Sequence, residues 1–174
     1  MDSLGETDYY VQRELEMSDF NWGGSGMVRE CAEWITDNLP FGEKVLEVGA
    51  GAVSTKFLSQ HWEVYSIEQD SAWVNIYENV NYIHAPLVNS WYDLECLKSL
   101  PSEYSLLLID GPVGGDRSKI IENLNLFDIE DTFIIVDDTY RSTERGIVTS
   151  LLQLGKKIIL EGKEGDSPQF TVLK

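Results

Sequence analysis

Positive charge is scarce in this sequence. Its 13 Lys and Arg stand against 30 Asp and Glu, a formal net charge of −17. Sequence-independent binding to DNA or RNA relies on Lys and Arg neutralising phosphates, so the balance argues against a nucleic-acid partner. No basic cluster interrupts it, which argues equally against an anionic membrane surface. The acidity itself reads as a solvated, soluble exterior. Cysteine is nearly absent: Cys31 and Cys96 are too few and too far apart for a disulfide framework, and neither belongs to a metal-type pair. No apolar run reaches membrane length, and Met1-Asp-Ser-Leu-Gly-Glu-Thr-Asp8 lacks the basic region and apolar core of a signal peptide. A cytoplasmic protein is the expectation.

A chain of 174 residues with 43% hydrophobic content suits one domain with a full core, without metal or disulfide staples. Residues 1–19 are acidic and weakly patterned, and residues 20–26 (Phe-Asn-Trp-Gly-Gly-Ser-Gly) read as a loop. Residues 1–26 are therefore an arm and loop, and residues 27–174 the folded domain. Met27, Cys31, Trp34, Ile35 and Leu39 recur at helical spacing until Pro40. From Lys44 the pattern alternates. Strands are expected at 44–48, 63–67, 80–84, 104–109, 132–136, 156–160 and 168–173, with helices near 54–60, 71–78, 93–99, 117–125 and 142–154. Such alternation predicts an α/β fold with a doubly wound, mostly parallel seven-stranded sheet. The last two strands are joined by a short Gly-rich loop without a helix, so the sheet should end in an antiparallel hairpin. No internal repeat is visible.

The most informative stretch is Lys44-Val-Leu-Glu-Val-Gly-Ala-Gly51. Glu47 sits where a buried parallel strand should continue in Val or Leu, and a charge there is costly unless something pairs with it. Gly49 and Gly51 let the backbone turn sharply and approach a ligand closely. Ser54 and Thr55 follow at a helix start. Carboxylate, tight turn and helix start together point to a nucleotide-like ligand that also carries a positive group. S-adenosylmethionine, with its ammonium and sulfonium, fits better than a dinucleotide, whose pyrophosphate Glu47 would repel. Tyr65-Ser-Ile-Glu68 ends the second strand, placing a carboxylate 19 residues after Gly49, a spacing that suits hydrogen bonds to ribose hydroxyls. Ser54 stands where a nicotinamide fingerprint would have its third glycine. Trp73 could pack on an adenine ring or simply belong to the core. His84 and Ala85 end the third strand, where an adenine edge would be read; a plain strand-end His is the alternative.

Leu106-Leu-Leu-Ile-Asp110-Gly-Pro and Phe133-Ile-Ile-Val-Asp137-Asp138-Thr deliver three carboxylates to the same rim of the sheet. Such a cluster repels itself unless a cation holds it or its pKa values shift. All-oxygen ligation suits a hard cation such as Mg²⁺ with open positions for water and substrate. The alternative is that Asp110 meets cofactor or substrate directly while Asp137 and Asp138 cap the helix beginning near Arg141. Arg117 and Arg141 lie on adjacent post-strand loops and would suit an anionic substrate such as a uronate, or serve only as surface arginines.

These residues resemble the class I S-adenosylmethionine-dependent methyltransferases over roughly residues 44–173. Glu47-Val-Gly-Ala-Gly-Ala-Val-Ser-Thr55 and Ser66-Ile-Glu-Gln-Asp-Ser-Ala-Trp73 resemble a group of small methyltransferases with a Gly-Ser-Gly-x-Ser-Thr loop and a Ser-x-Glu-x-Asp-x-x-Trp stretch. Asp110 followed by Asp137 and Asp138 also resembles the magnesium-dependent O-methyltransferases of the catechol and macrolide-sugar types. The resemblance implies a Rossmann-like methyltransferase domain. It implies S-adenosylmethionine held by Glu47, Gly49, Gly51, Ser54, Thr55, Glu68, Trp73 and Asp110. It further implies Mg²⁺ as an optional metal on Asp110, Asp137 and Asp138, with Asp110 and Asp138 catalytic. There are departures. Catechol-type enzymes carry a Lys three residues after the first metal Asp, where Val113 stands here, and neither His61 nor His84 is placed as the sugar-type base. No Asn-Pro-Pro-Tyr-like motif for methylating a base amine is present, and the large caps that enclose substrates in many relatives are missing.

The implied reaction is methyl transfer to a hydroxyl of a small molecule or glycan. The sulfonium supplies the leaving group, and the protein aligns the nucleophile and manages one proton. A non-catalytic S-adenosylmethionine-binding protein and a nicotinamide-dependent oxidoreductase are the competing classes. A homodimer is compatible with the sequence but not specified by it. The arm and residues 20–26 are expected to close over cofactor or substrate; a mere linker to the first helix is the alternative.

Overall fold

In the computed structural model, residues 17–24, 26–164 and 166–174 are described. The acidic segment 1–16 lies outside them. Helix α1 (Arg29–Asn38) buries Cys31 and Ile35 of the expected stripe together with Ala32, while Trp34 is half-buried. Strands β1 (Lys44–Val48), β2 (Glu63–Glu68), β3 (Val80–His84), β6 (Leu106–Ile109) and β7 (Phe133–Asp137) run parallel, with β3-β2-β1-β6-β7 as neighbours. The chain then turns back. β9 (Ser167–Leu173) inserts antiparallel beside β7 and pairs with β8 (Ile158–Glu164), which forms the far edge. The expected seven-stranded doubly wound α/β sheet with a terminal hairpin is the observed one.

Both faces of the sheet are covered, which is why the central strands are apolar throughout rather than alternating. One face packs against α1 and the short helix α2 (Ser54–Leu58), joining Ile35, Val45, Phe57, Leu106, Leu108 and Ile135 in one core. The other packs against α3 (Ser142–Gln153), where Leu46, Val48, Leu107, Ile109, Ile147 and Leu151 meet. The strand order reverses between β1 and β6, and ligands in open α/β sheets lie at such a switch point.

Some expected elements differ. Residues 71–78 form turns instead of a helix: Asp70 accepts from the backbone N–H of Ala72 through Oδ1 (2.9 Å), and Asn75 adopts a positive φ of 65°. None of these residues is buried, so a helix there would have no apolar face to bury. The helices expected near 93–99 and 117–125 are tighter 3-10 segments, Cys96–Ser99 and Arg117–Leu126, the latter kinked at Asn123. Between β3 and the first of these lies an unexpected hairpin, β4 (Leu87–Val88) and β5 (Trp91–Tyr92), turned at Asn89 and Ser90 with φ of 53° and 68°.

Candidate functional site

The first βα turn is built by a chain of hydrogen bonds from beneath. Glu47 has no exposed surface. Its Oε2 accepts from Thr55 Oγ1 (2.6 Å) and from Ser66 Oγ (2.7 Å), and Thr55 Oγ1 accepts in turn from the Gly51 N–H (2.8 Å). Glu47 thus ties β1, β2 and α2 to the glycine turn. Burial raises its carboxyl pKa to about 7, opposed by the nearby Ser54 hydroxyl and by the Thr55 and Ser66 hydroxyls that donate to it. The side chain is not part of the cleft lining. The expected partner of a ligand ammonium therefore braces the loop that faces the ligand. Gly49 has φ of 96°, and a Cβ there would lie 2.7 Å from the Gly111 backbone. β1 and β6 can end side by side only because both residues are glycines. At Gly51 a Cβ would sit 2.5 Å from Ser54 Oγ, so that position too is filled from below.

Glu68 closes the other side of the turn. Its Oε2 accepts from the Ala50 N–H (3.0 Å) and its Oε1 from the Asp70 N–H (2.7 Å). The residue is 3% exposed and lines the cleft. Each carboxylate oxygen keeps a second lone pair. Trp73 stands on the wall, 40% exposed rather than in the core. Tyr77, which sequence reasoning missed, donates to the Ala52 carbonyl (2.9 Å) and holds the loop's outer edge. His84 lies opposite Glu68 in the strand register, its Nε2 3.3 Å from the Gln69 carbonyl, and is not in the lining. Ala85 is buried, donating its N–H to the Glu68 carbonyl (2.9 Å).

The acids at the ends of β6 and β7 are not left to repel one another. Arg117, 8% exposed, reaches between them from the start of its 3-10 segment. Its Nη2 donates to Asp110 Oδ1 (3.1 Å) and its Nη1 to Asp138 Oδ2 (3.0 Å), and Nη1 lies 3.4 Å from Glu144 Oε1. Arg141 Nη1 meets the same Asp138 oxygen at 2.9 Å. Asp116 fixes the approach by accepting from the Ser118 N–H (3.1 Å) through Oδ1, so Arg117 is aimed by its own helix cap. Asp137 is not in the cleft lining. It shares a face of the sheet with the buried Ile135, and its charge and that of Asp110 reinforce burial in pushing up the Cys31 thiol. Burial, then repulsion by Asp138, raises the Asp137 carboxyl to about 6. Asp110 is raised well above the ordinary carboxylate range, first by burial and then by Asp137, with Arg117 opposing.

Three readings change here. A guanidinium stands where a shared cation was expected, and no group of three or more His, Cys, Asp or Glu among the described residues is placed to hold a metal ion. The donor set does not fit Mg²⁺. Nor do the acids cap α3: its N-cap residue is Arg141, with no side-chain capping bond. The expected use of Arg117 for an anionic substrate also lapses, since three carboxylates already surround it.

The cleft above these strand ends has a volume of about 1020 Å³. It runs from Glu68 and Trp73, over Gly49–Ser54, to Asp110, Arg117, Asp138 and Glu144. Asp19, Phe20 and Asn21 form part of the rim. Phe20 packs against Trp22 and Phe57 at centroid distances of 4.9 and 5.9 Å, and Trp22 Nε1 donates to the Met17 carbonyl (2.7 Å).

No family model matches the sequence, and neither does any curated protein. Solved structures do. An O-methyltransferase from Bacillus cereus in complex with S-adenosylhomocysteine superposes with a TM-score of 0.60 at 13% identity, over 99% of this chain and 91% of that one. Fibrillarin from Aeropyrum pernix with natively bound S-adenosylmethionine gives 0.57 at 13%, over 83% and 73%. Magnesium protoporphyrin IX methyltransferase from Synechocystis PCC 6803, with the same cofactor bound, gives 0.54 at 13%, over 99% and 85%. The fold is that of the class I methyltransferases. At these identities the likeness shows the fold alone.

Proposed function

We propose that the protein transfers a methyl group from S-adenosylmethionine to a hydroxyl of a small molecule or glycan. The observation that carries this reading is Glu68. It is a buried carboxylate at the end of β2, tied to the glycine turn through Ala50, facing the cleft with acceptor capacity to spare. A vicinal diol such as a ribose supplies two donors of the kind it needs. The Gly49–Ser54 turn would take the methionine part, close to the backbone, and Trp73 would cover the adenine. A dinucleotide suits the turn poorly, because Ser54 fills the third glycine position and acids dominate the surroundings.

Asp110 borders the cleft where β6 ends beside Gly49, opposite the turn. S-adenosylmethionine bound here would supply the methyl group and leave as the neutral thioether, and Asp110 would take the proton of the acceptor hydroxyl. A carboxylate whose proton affinity is raised by burial suits that role. Arg117 holds the carboxylate in place. Calorimetry tests the pocket. S-adenosylhomocysteine should bind the parent protein, and Glu68→Ala should cost about 1–3 kcal/mol through unpaired ribose hydroxyls. Equal affinity in the two proteins would remove Glu68 from the ribose, and tighter binding of NAD would remove the methyltransferase reading.

A further inference from the structure

Resting on the cofactor assignment above, we propose that Asp138, Arg141 and Glu144 form the acceptor subsite, and that it takes a neutral polyhydroxylated compound, a sugar or polyol, in preference to an anion. The first observation is the charge pairing. Arg117 is engaged by Asp110, Asp138 and Glu144 at 3.1, 3.0 and 3.4 Å, and Arg141 by Asp138 at 2.9 Å and Glu144 at 4.0 Å. Two guanidiniums face three carboxylates. A carboxylate or phosphate arriving here finds no uncompensated cation and must break an existing pair to gain one.

The second observation is independent of that balance. Glu144 lines the cleft, is 4% exposed, and turns Oε1 toward the two arginines. Its Oε2 is buried without a hydrogen-bond partner. Such an oxygen is stabilised by a ligand that brings a donor at that point, which a hydroxyl does and an ionised carboxylate or phosphate group does not. A hydroxyl both donates and accepts, so neighbouring hydroxyls on one ring can serve Glu144 Oε2 and the guanidinium N–H groups of Arg141 together. Val113, 70% exposed at the rim, adds an apolar surface for the C–H face of a ring.

The test uses the full chain loaded with S-adenosylhomocysteine. Saturation-transfer NMR compares the neutral methyl glycosides of glucose, galactose and mannose with their uronic acid counterparts and with glycerol 3-phosphate. At least one neutral glycoside should bind, and its uronic acid counterpart should bind about tenfold more weakly or worse. Glu144→Gln should weaken the neutral glycoside about tenfold while S-adenosylhomocysteine affinity stays within about twofold, which also reports that the variant is folded. Anionic probes binding as tightly as neutral ones, no neutral glycoside binding, or an unaffected Glu144→Gln protein would each overturn the subsite. Failure of S-adenosylhomocysteine to bind the parent is a different result and overturns the cofactor reading beneath it.

Discussion

A carboxylate with no exposed surface, one oxygen held by two hydroxyls and the other by nothing, carries its charge at a cost, and Glu47 is such a group. Burial raises its pKa from 4.5 to about 7. Because the folded state holds the proton more tightly than the unfolded one, this contribution to stability is fully present below pH about 4.5 and is lost as pH rises through about 7. Replacing Glu47 with Gln removes the titration but keeps an acceptor for Thr55 and Ser66. We expect the parent to lose stability relative to Glu47→Gln as pH rises from about 4.5 to about 7, by a few kcal/mol at most. Parallel urea titrations across that range check it; a constant difference between the two proteins would refute the coupling. As an oddity, Glu47 was legible in the sequence, since a charge within Val-Leu-Glu-Val demands a reason. Its side-chain direction was the harder part. Alternation along β1 puts it on the face of Val45, toward α2, so it supports the turn from below.

At the scale of elements, what failed to show in the sequence was whatever depends on tertiary partners. Residues 71–78 have helix-like spacing, but no second layer covers them, and the Asp70 turn takes their backbone instead. Hairpin β4–β5 is two residues per strand, too short for any periodicity, yet it steadies the cleft: the Asp116 N–H donates to the Ser90 carbonyl (2.8 Å), and Lys119 Nζ donates to that of Asn89. Arg117 belongs to the same class. Seven residues after Asp110 and 21 before Asp138, it carries no local motif that marks it as their shared partner. Its removal should be severe. Arg117→Met leaves Asp110, Asp138 and Glu144 facing one another with only Arg141 nearby, and breaking a buried pair costs about 3–5 kcal/mol. The loss should shrink toward pH 5 as Asp110, whose proton affinity burial raises, takes up its proton. Chemical denaturation at pH 5 and pH 7.5 measures both effects, and a loss below about 1 kcal/mol at neutral pH would show that the ion-pair geometry is incidental.

Over the whole molecule, the mostly parallel sheet and its antiparallel ending follow from strand–helix alternation, and the cleft lies at the glycine turn that the sequence marks; the order of the strands carries no such local signal. A cleft between the β2–β1 and β6–β7 halves of the sheet predicts how the fold responds to ligand. A cofactor held as proposed, by Glu68 on one half and by the rim of β6 on the other, would bind only the folded state, so saturation should stabilise the entire domain. At about one hundred times its dissociation constant S-adenosylhomocysteine should contribute about 2.7 kcal/mol. For a chain of this size that is a rise of roughly 5–10 °C in Tm. Mg²⁺ alone should add nothing comparable, because Arg117 already supplies the positive charge between Asp110 and Asp138. Scanning calorimetry with S-adenosylhomocysteine, with Mg²⁺, with both and after exhaustive chelation separates the contributions. The expected pattern is a ligand-dependent rise unchanged by metal or chelator. A further rise with Mg²⁺ that Asp138→Asn abolishes would mean that Arg117 gives way to a cation, and the acid cluster would then have to be read as a metal site after all.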